Sequence, residues 1–170
     1  MGDIRLFVSH AHKDREIAAA LVKVIEAAMV PREKILCTSH PEYGYPEGVD
    51  VIKYLHDHLT QSSCVLGVLT PNSMNRPWCL IELGGAWAVA TRIYCLLAGL
   101  SQESLPGPLK DTDAAQLTEP EEIRRVMANL RQALVWDERV KGTAAEEIDD
   151  LVNLVHRCSW DLSYIGQYQE

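Results

Sequence analysis

Residues 64–87 read CVLGVLTPNSMNRPWCLIELGGAW, and this stretch decides the fold. It begins with a continuous apolar run, 64–70, of the kind found in parallel strands that are covered on both faces. A Thr-Pro-Asn-Ser turn follows, and Pro77 then favours the first turn of a helix over residues 78–91. A strand followed at once by a helix is typical of a βαβ unit, so the stretch predicts a parallel sheet.

The same alternation of strands and helices extends in both directions along the chain. The other predicted strands are short and mostly apolar, and they cover residues 4–9, 34–39, 93–98 and 113–118. Amphipathic helices are predicted between and after them, at 14–29, 50–60, 119–134 and 144–158. Asp50 is placed to cap the helix that follows it. In an open parallel sheet, ligands bind at the carboxyl ends of the strands, and the first and third strands end near residues 9 and 70.

Composition limits the class of protein. The chain has 170 residues, 47% of them hydrophobic and 24% charged, which predicts one soluble domain over residues 1–170. The formal net charge of −8, mostly carried after residue 100, argues against binding to nucleic acid or to an anionic membrane. No apolar run is long enough to span a bilayer, and no signal peptide is recognised. Five cysteines without a CxxC pair indicate free thiols in a reducing compartment, so we expect a cytoplasmic location.

Glu82 is the only acidic or basic residue between Arg76 and Arg92. Burying an unpaired carboxylate is costly, so a glutamate in this apolar run needs a reason. One reason is catalysis, because a carboxylate in an apolar cleft stabilises a developing positive charge. The alternative is a surface glutamate on the polar edge of a half-buried helix. Trp78 lies four residues earlier and therefore shares a helix face with Glu82.

The same predicted helix also contains a pair of adjacent glycines and a cysteine. The pair Gly84-Gly85 lowers helix propensity, so we expect close backbone packing against a neighbouring element or subunit. Cys79 is a conceivable nucleophile with His10 or His12 as its base, although nothing in the sequence fixes that geometry.

Two loops carry polar residues at the predicted ligand edge. His10, His12 and Asp14 match the HxHxD opening of a zinc site, but Arg15 follows where such sites have another histidine. Polar loop residues that cap the first helix explain this segment better. The second loop, 40–48, is rich in Pro, Gly and Tyr, and it is either a simple turn-rich connection or a mobile loop covering a cleft.

Three segments in order, 5–18, 37–51 and 65–87, resemble a TIR (Toll/interleukin-1 receptor) domain of the bacterial, NAD-cleaving type. The third is the most specific, with Thr-Pro-Asn-Ser after the strand and then W-C-x-x-E-L-G on a helix. The resemblance covers roughly residues 4–135, and the helix at 144–158 is an addition to the usual core. It implies a flavodoxin-like, doubly wound sheet of five parallel strands with helices on both faces.

The resemblance also implies an activity. Many TIR domains are NAD⁺ nucleosidases that cleave the nicotinamide–ribose bond and give nicotinamide with ADP-ribose or a cyclic ADP-ribose. Their catalytic glutamate corresponds to Glu82, NAD⁺ is the substrate, and no metal or further cofactor is required. The implied substrate contacts come from the first loop, the second loop and the third helix: Ser9, His10, Ala11, Tyr43, Gly44, Trp78 and Cys79.

The resemblance further implies how such a domain works with others. Active members self-associate through TIR–TIR contacts, in some cases as filaments, and bacterial members act in antiphage defence under a sensor domain or partner that this chain does not display. The departures lie in the loops, where Thr38-Ser39 and Ala11-His12 replace residues typical of some relatives. A non-catalytic TIR–TIR adaptor is the alternative function. A nucleoside deoxyribosyltransferase, with a similar layered fold, is a third interpretation.

Overall fold

The computed structural model describes residues 5–28, 30–38, 47–134, 144–160 and 162. Its five strands all pair in parallel, in the order β2-β1-β3-β4-β5. The strands are β1 Leu6–Ser9, β2 Ile35–Cys37, β3 Cys64–Leu69, β4 Arg92–Leu97 and β5 Asp113–Gln116. This is the strand order of flavodoxin-like doubly wound folds, so the predicted fold class is confirmed.

Six α-helices cover the two faces of the sheet within the described residues. They are α1 Arg15–Ala27, α2 Val51–Gln61, α3 Pro71–Met74, α4 Pro77–Ala88, α5 Pro120–Ala133 and α6 Ala145–Arg157. One apolar core joins α1, α5 and α6 to one face of the sheet, and a second core joins α2, α3 and α4 to the other. Successive strand residues point to opposite faces, which is why continuous apolar strands can serve both cores.

Local sequence signals predict most helix starts correctly. Asp50 caps α2, because its carboxylate accepts a hydrogen bond from the Lys53 amide at 3.1 Å. Pro77 lies in the first turn of α4, as predicted, and the helix begins at this residue, one position before the predicted start. The short helix α3 is an addition to the predicted elements, and it forms because Thr70 and Ser73 cap it reciprocally through their side chains.

The end of α4 lies earlier than predicted. The helix stops at Ala88 rather than at residue 91, and Ala90 takes a left-handed backbone conformation with φ 57°. The Thr91 amide then bonds back to the Ala86 carbonyl at 2.9 Å, which closes the helix in the manner of a Schellman motif.

Helix α4 packs closely against the centre of the sheet. Gly67 in β3 pairs in register with Ser9 at the end of β1. A Cβ added at Gly67 would lie 2.9 Å from Cδ2 of Leu83, a fully buried residue of α4. The missing side chain at Gly67 therefore allows α4 to approach β3, and this approach brings the helix up to the end of β1.

Candidate functional site

Ser9 and Glu82 meet at the carboxyl end of the sheet. Ser9 is the last residue of β1, and strand alternation points it to the same face as Phe7, the face that α4 covers. Its Oγ donates a hydrogen bond of 2.6 Å to Oε2 of Glu82. Glu82 is only 7% exposed, so the alternative of a surface glutamate on a polar helix edge is wrong. The contact lies beside β1 and β3, where the winding of the sheet changes direction and doubly wound proteins bind ligands.

The environment of Glu82 has two opposing effects on its charge. Burial raises the pKa of the Glu82 carboxyl above its ordinary value, because desolvation disfavours the charged form. Hydrogen bonds from the side chains of Ser9 and Trp78 lower the pKa and so oppose this effect. The site therefore holds a largely dehydrated carboxyl group that accepts a hydrogen bond from Ser9, and in its ionised form such a group can stabilise positive charge on a bound molecule.

Trp78 lies on the solvent-exposed side of the site. It occupies the first turn of α4, one turn before Glu82, and 45% of it is exposed. Its side chain lies close enough to the Glu82 carboxyl to lower the pKa of that group, while much of the indole remains accessible. An aromatic surface of this kind beside a carboxylate suits a flat or cationic ligand.

Cys79 lies close to the site but is poorly suited to be a nucleophile. Its side chain is buried, and burial raises the pKa of the Cys79 thiol to about 11. The negative charges of Glu82 and Asp14 act in the same direction. Because the thiolate is the reactive form, a thiol with this pKa is almost entirely protonated near neutral pH. Burial of Cys79 and the raised pKa of its thiol therefore argue against the cysteine mechanism considered from the sequence.

The loop after β1 contributes less side-chain surface than expected. Ala11 is 2% exposed, and its carbonyl accepts the Asp14 amide at 2.8 Å. Nδ1 of His10 lies 3.4 Å from the Val8 carbonyl oxygen, and burial lowers the pKa of the His10 imidazole. That shift favours a neutral ring at the edge of the site. Tyr43 and Gly44, the predicted contacts from the second loop, lie outside the described residues.

Asp14 is the residue that sequence reasoning assigned wrongly. Its side chain makes no capping hydrogen bond to α1. Instead Oδ2 accepts from the Thr70 hydroxyl and Oδ1 from the Asn72 amide, each at 2.6 Å. Asp14 is 2% exposed, and burial raises the pKa of its carboxyl while these two donors lower it.

The hydrogen bonds of Asp14 hold two loops of the site together. Asp14 joins the loop after β1, which carries Ser9, to the turn after β3, which leads into α4. The sequence contained one usable signal, a carboxylate just after strand one and a Thr-Pro-Asn turn just after strand three, at strand ends that a parallel sheet brings together.

The described ranges offer neither a metal centre nor a membrane span. Within them, no grouping of three or more His, Cys, Asp or Glu side chains is arranged to hold a metal ion. The helices of those ranges include none with the length and apolar character needed to cross a membrane.

Comparison with known proteins places this geometry in a family context. The family model described as "TIR domain" matches residues 6–134. The protein YddK of Bacillus subtilis strain 168, described as uncharacterized, is 30% identical over 117 residues, which are 68% of this chain and 44% of YddK. The match thus spans less than half of that relative's length. The solved TIR domains of the activated Roq1 resistosome, which directly recognises the pathogen effector XopQ, align with 15% identity and a TM-score of 0.48 over 97% of this chain and 92% of theirs.

Proposed function

The chain belongs to the TIR domain family, and from that premise we propose that it is an NAD⁺ nucleosidase with Glu82 as its catalytic residue. The observation that carries the proposal is the buried Glu82 carboxylate, held by Ser9 at 2.6 Å at the end of β1. A dehydrated carboxylate at this edge of a doubly wound sheet is suited to a substrate whose reacting carbon becomes positive.

The proposed reaction requires little from the protein. The bond between ribose C1′ and the nicotinamide nitrogen breaks, and its electron pair leaves with nicotinamide, which departs as a neutral molecule. The ribose then has oxocarbenium character, as in glycoside hydrolysis. The Glu82 carboxylate stabilises that charge and orients the ribose hydroxyls. Water attacks C1′ and releases a proton to give ADP-ribose, or the substrate's own adenine attacks to give a cyclic product.

The other predicted contacts have supporting roles in this proposal. Ser9 favours the ionised form of the carboxylate and orients it toward the ribose, and the exposed part of Trp78 packs against the substrate. The surface behind Ser9 and Trp78 is formed by His10, Ala11 and Cys79. Since Ala11 and Cys79 are buried, they act through their volume and backbone rather than through exposed side chains.

In the cell, the proposal makes the chain a cytoplasmic effector of bacterial antiphage defence that is activated by assembly. Depletion of NAD⁺ would stop the growth of an infected cell, and a sensor domain or partner protein would control when copies assemble. The matched region is 44% of YddK, so in that relative the similar segment lies within a longer chain.

A non-catalytic adaptor is the second candidate, and one observation favours it. Helix α4 exposes Ile81 and Trp87 to solvent, at 60% and 56%, and such surface is typical of association with other proteins. This exposed surface is compatible with an adaptor and with an enzyme. The two functions are therefore distinguished by whether the chain turns over NAD⁺.

The test is nicotinamide release from NAD⁺ by the purified chain, followed by chromatography over a range of protein concentrations. Glu82→Gln keeps the side-chain shape and removes the charge, and we expect roughly a hundredfold loss of turnover or more. Glu33→Gln, at an exposed position away from the site, is the matched control and keeps full activity. Equal release by wild type and Glu82→Gln would refute the assignment. Self-association without any turnover would favour the adaptor.

A further inference from the structure

A polar cavity lies at the amino ends of β4 and β5, at the edge of the sheet opposite to Ser9 and Glu82. Its volume of about 430 Å³ is within the range of small-molecule sites. Because β4 is six residues long, about 16 Å separates its two ends, so a small molecule in this cavity would not reach the Glu82 carboxyl. The described residues that line the cavity are Arg92, Ile93, Tyr94, Asp113, Asn129 and Gln132.

The geometry of the sheet places three of these side chains together. Arg92 and Tyr94 are two residues apart in β4, so both point to the face of the sheet that α5 covers. Asp113 pairs in register with Tyr94 across the two strands and therefore points to the same face. Asn129 and Gln132 are three residues apart on α5, and they complete the lining from the helix side.

The charge of Asp113 is neutralised within this arrangement. Its Oδ1 accepts a hydrogen bond from Nη1 of Arg125, and its Oδ2 accepts one from the Asn129 amide at 3.4 Å. Arg92, the exposed first residue of β4, has no ion-pair partner among the described residues. The cavity therefore has one positive charge that no described carboxylate neutralises.

Tyr94 adds a buried hydroxyl to the lining. Only 3% of this residue is exposed, yet it forms part of the cavity wall. Burial raises the pKa of the Tyr94 hydroxyl, and the nearby guanidinium of Arg92 opposes this effect. The hydroxyl is therefore protonated near neutral pH and able to donate a hydrogen bond. Together with Arg92, Asn129 and Gln132, it gives the cavity side-chain donors from both the strand and the helix.

We propose that this cavity is a ligand site, separate from Glu82, that binds a small molecule bearing a phosphate monoester group. The planar guanidinium of Arg92 matches two phosphate oxygens and donates a hydrogen bond to each. The third terminal oxygen accepts from Tyr94 on the strand side or Gln132 on the helix side. A carboxylate has only two oxygens, so it would use fewer of these donors. The rest of the cavity holds the organic part of the ligand.

The net charge of the chain makes phosphate binding a selective test of this cavity. A formal net charge of −8 repels anions from most of the surface, so saturable binding of phosphate requires a local cation with additional donors. The inference does not rest on the proposed function, because the cavity and Glu82 lie at opposite edges of the sheet. Glu82→Gln should therefore bind phosphate at this cavity like wild type.

The first experiment is an NMR titration of the full chain, at constant ionic strength, with inorganic phosphate, ribose 5-phosphate, ribose and acetate. Both phosphate compounds should shift the side-chain amide signals of Asn129 and Gln132 in a saturable manner. Ribose should leave these signals unchanged, because it has no charge for Arg92 to bind. No saturable shift of the two signals with either phosphate compound would overturn the proposal. Acetate binding as tight as phosphate binding would overturn the assignment to a phosphate group.

The second experiment measures phosphate affinity in variants of the lining. Arg92→Gln should bind about tenfold more weakly or worse, since it loses a charge-assisted pair of hydrogen bonds. Arg92→Lys keeps the charge without the planar fork and should bind more weakly than wild type but more tightly than Arg92→Gln. Tyr94→Phe keeps the packed ring, removes the hydroxyl, and should weaken binding about threefold or more.

Arg124→Gln is the matched control for the loss of one positive charge. Arg124 lies on α5 outside the cavity lining, where it is paired with Glu121. This variant should bind phosphate like wild type. If Arg124→Gln weakens binding as much as Arg92→Gln does, binding follows the overall charge of the chain and the proposed site is refuted. Unchanged affinity in both Arg92→Gln and Tyr94→Phe would refute it as well.

Discussion

The Ser9 hydroxyl donates a 2.6 Å hydrogen bond to the Glu82 carboxylate, joining the end of β1 to α4 across 73 residues of sequence. Both residues are buried, so the contact fixes a charge at the ligand edge of the sheet instead of leaving it to solvent. The pKa and the position of the Glu82 carboxyl both depend on this bond.

Ser9→Ala should move the acidic limb of the pH–rate profile to higher pH. In the proposed mechanism turnover requires the Glu82 carboxylate, so the rate should fall as pH falls through a pKa that burial has already raised. Ser9 lowers that pKa by hydrogen bonding, and its removal raises the pKa further. We also expect kcat to fall about tenfold at neutral pH. Nicotinamide release measured across pH checks this, with the exposed Ser101→Ala as the control. An unshifted acidic limb in Ser9→Ala would contradict it.

Glu82→Gln should stabilise the fold at neutral pH by about 0.5–2 kcal/mol, because it removes a charge from a dehydrated position. The sign of the pH dependence follows from linkage. With its pKa raised in the folded state, Glu82 contributes stability below its ordinary pKa of 4.5, and that contribution is lost as pH rises through the folded value. Glutamine does not titrate, so the advantage of the variant grows with pH. Urea unfolding at several pH values measures it, and an advantage that grows toward acid would be inconsistent with this account.

Asp14→Ala should cost about 2–3 kcal/mol, since it leaves the Thr70 hydroxyl and the Asn72 amide without their acceptor. A double-mutant cycle with Asn72→Ala should give a coupling energy of about 0.5–3 kcal/mol. Asn75 is the matched control, because its amide bonds the Pro71 carbonyl instead. The cycle of Asp14→Ala with Asn75→Ala should be additive. Denaturant unfolding of the variants measures both cycles, and equal coupling in the two would argue against a specific Asp14–Asn72 contact.

Gly67→Ala should destabilise the fold by about 1–3 kcal/mol through overpacking, because the new Cβ would lie 2.9 Å from Cδ2 of Leu83. Moving α4 outward should also lengthen the contact between Ser9 and Glu82 and lower turnover. Leu83→Ala in the same chain should recover part of the turnover by making room for the methyl group. Thermal unfolding and nicotinamide release check the two effects. Full activity in the Gly67→Ala single variant would mean that α4 does not need this close approach.

The sequence by itself determined the parallel α/β fold and the helix that carries the candidate catalytic residue. These features depend on signals between neighbouring residues: continuous apolar runs for buried strands, amphipathic spacing for most helices, Asp50 as a cap and Pro77 at a first turn. Such signals act within a few residues, so they can be read without knowing the fold. The isolation of Glu82 in an apolar run is a signal of the same local kind, and it singles this residue out.

Only the tertiary structure decided what those residues contact. Asp14 accepts from Thr70 and Asn72, 56 and 58 residues away, and this turned an expected helix cap into a link between two loops. The structure also distinguishes Gly85 from Gly84. A Cβ at Gly85 would lie 3.3 Å from Cδ2 of Leu59 in α2, whereas a Cβ at Gly84 would meet no described atom within 4 Å. Contacts of this kind depend on how strands and helices approach each other in space, and sequence spacing alone does not encode that distance.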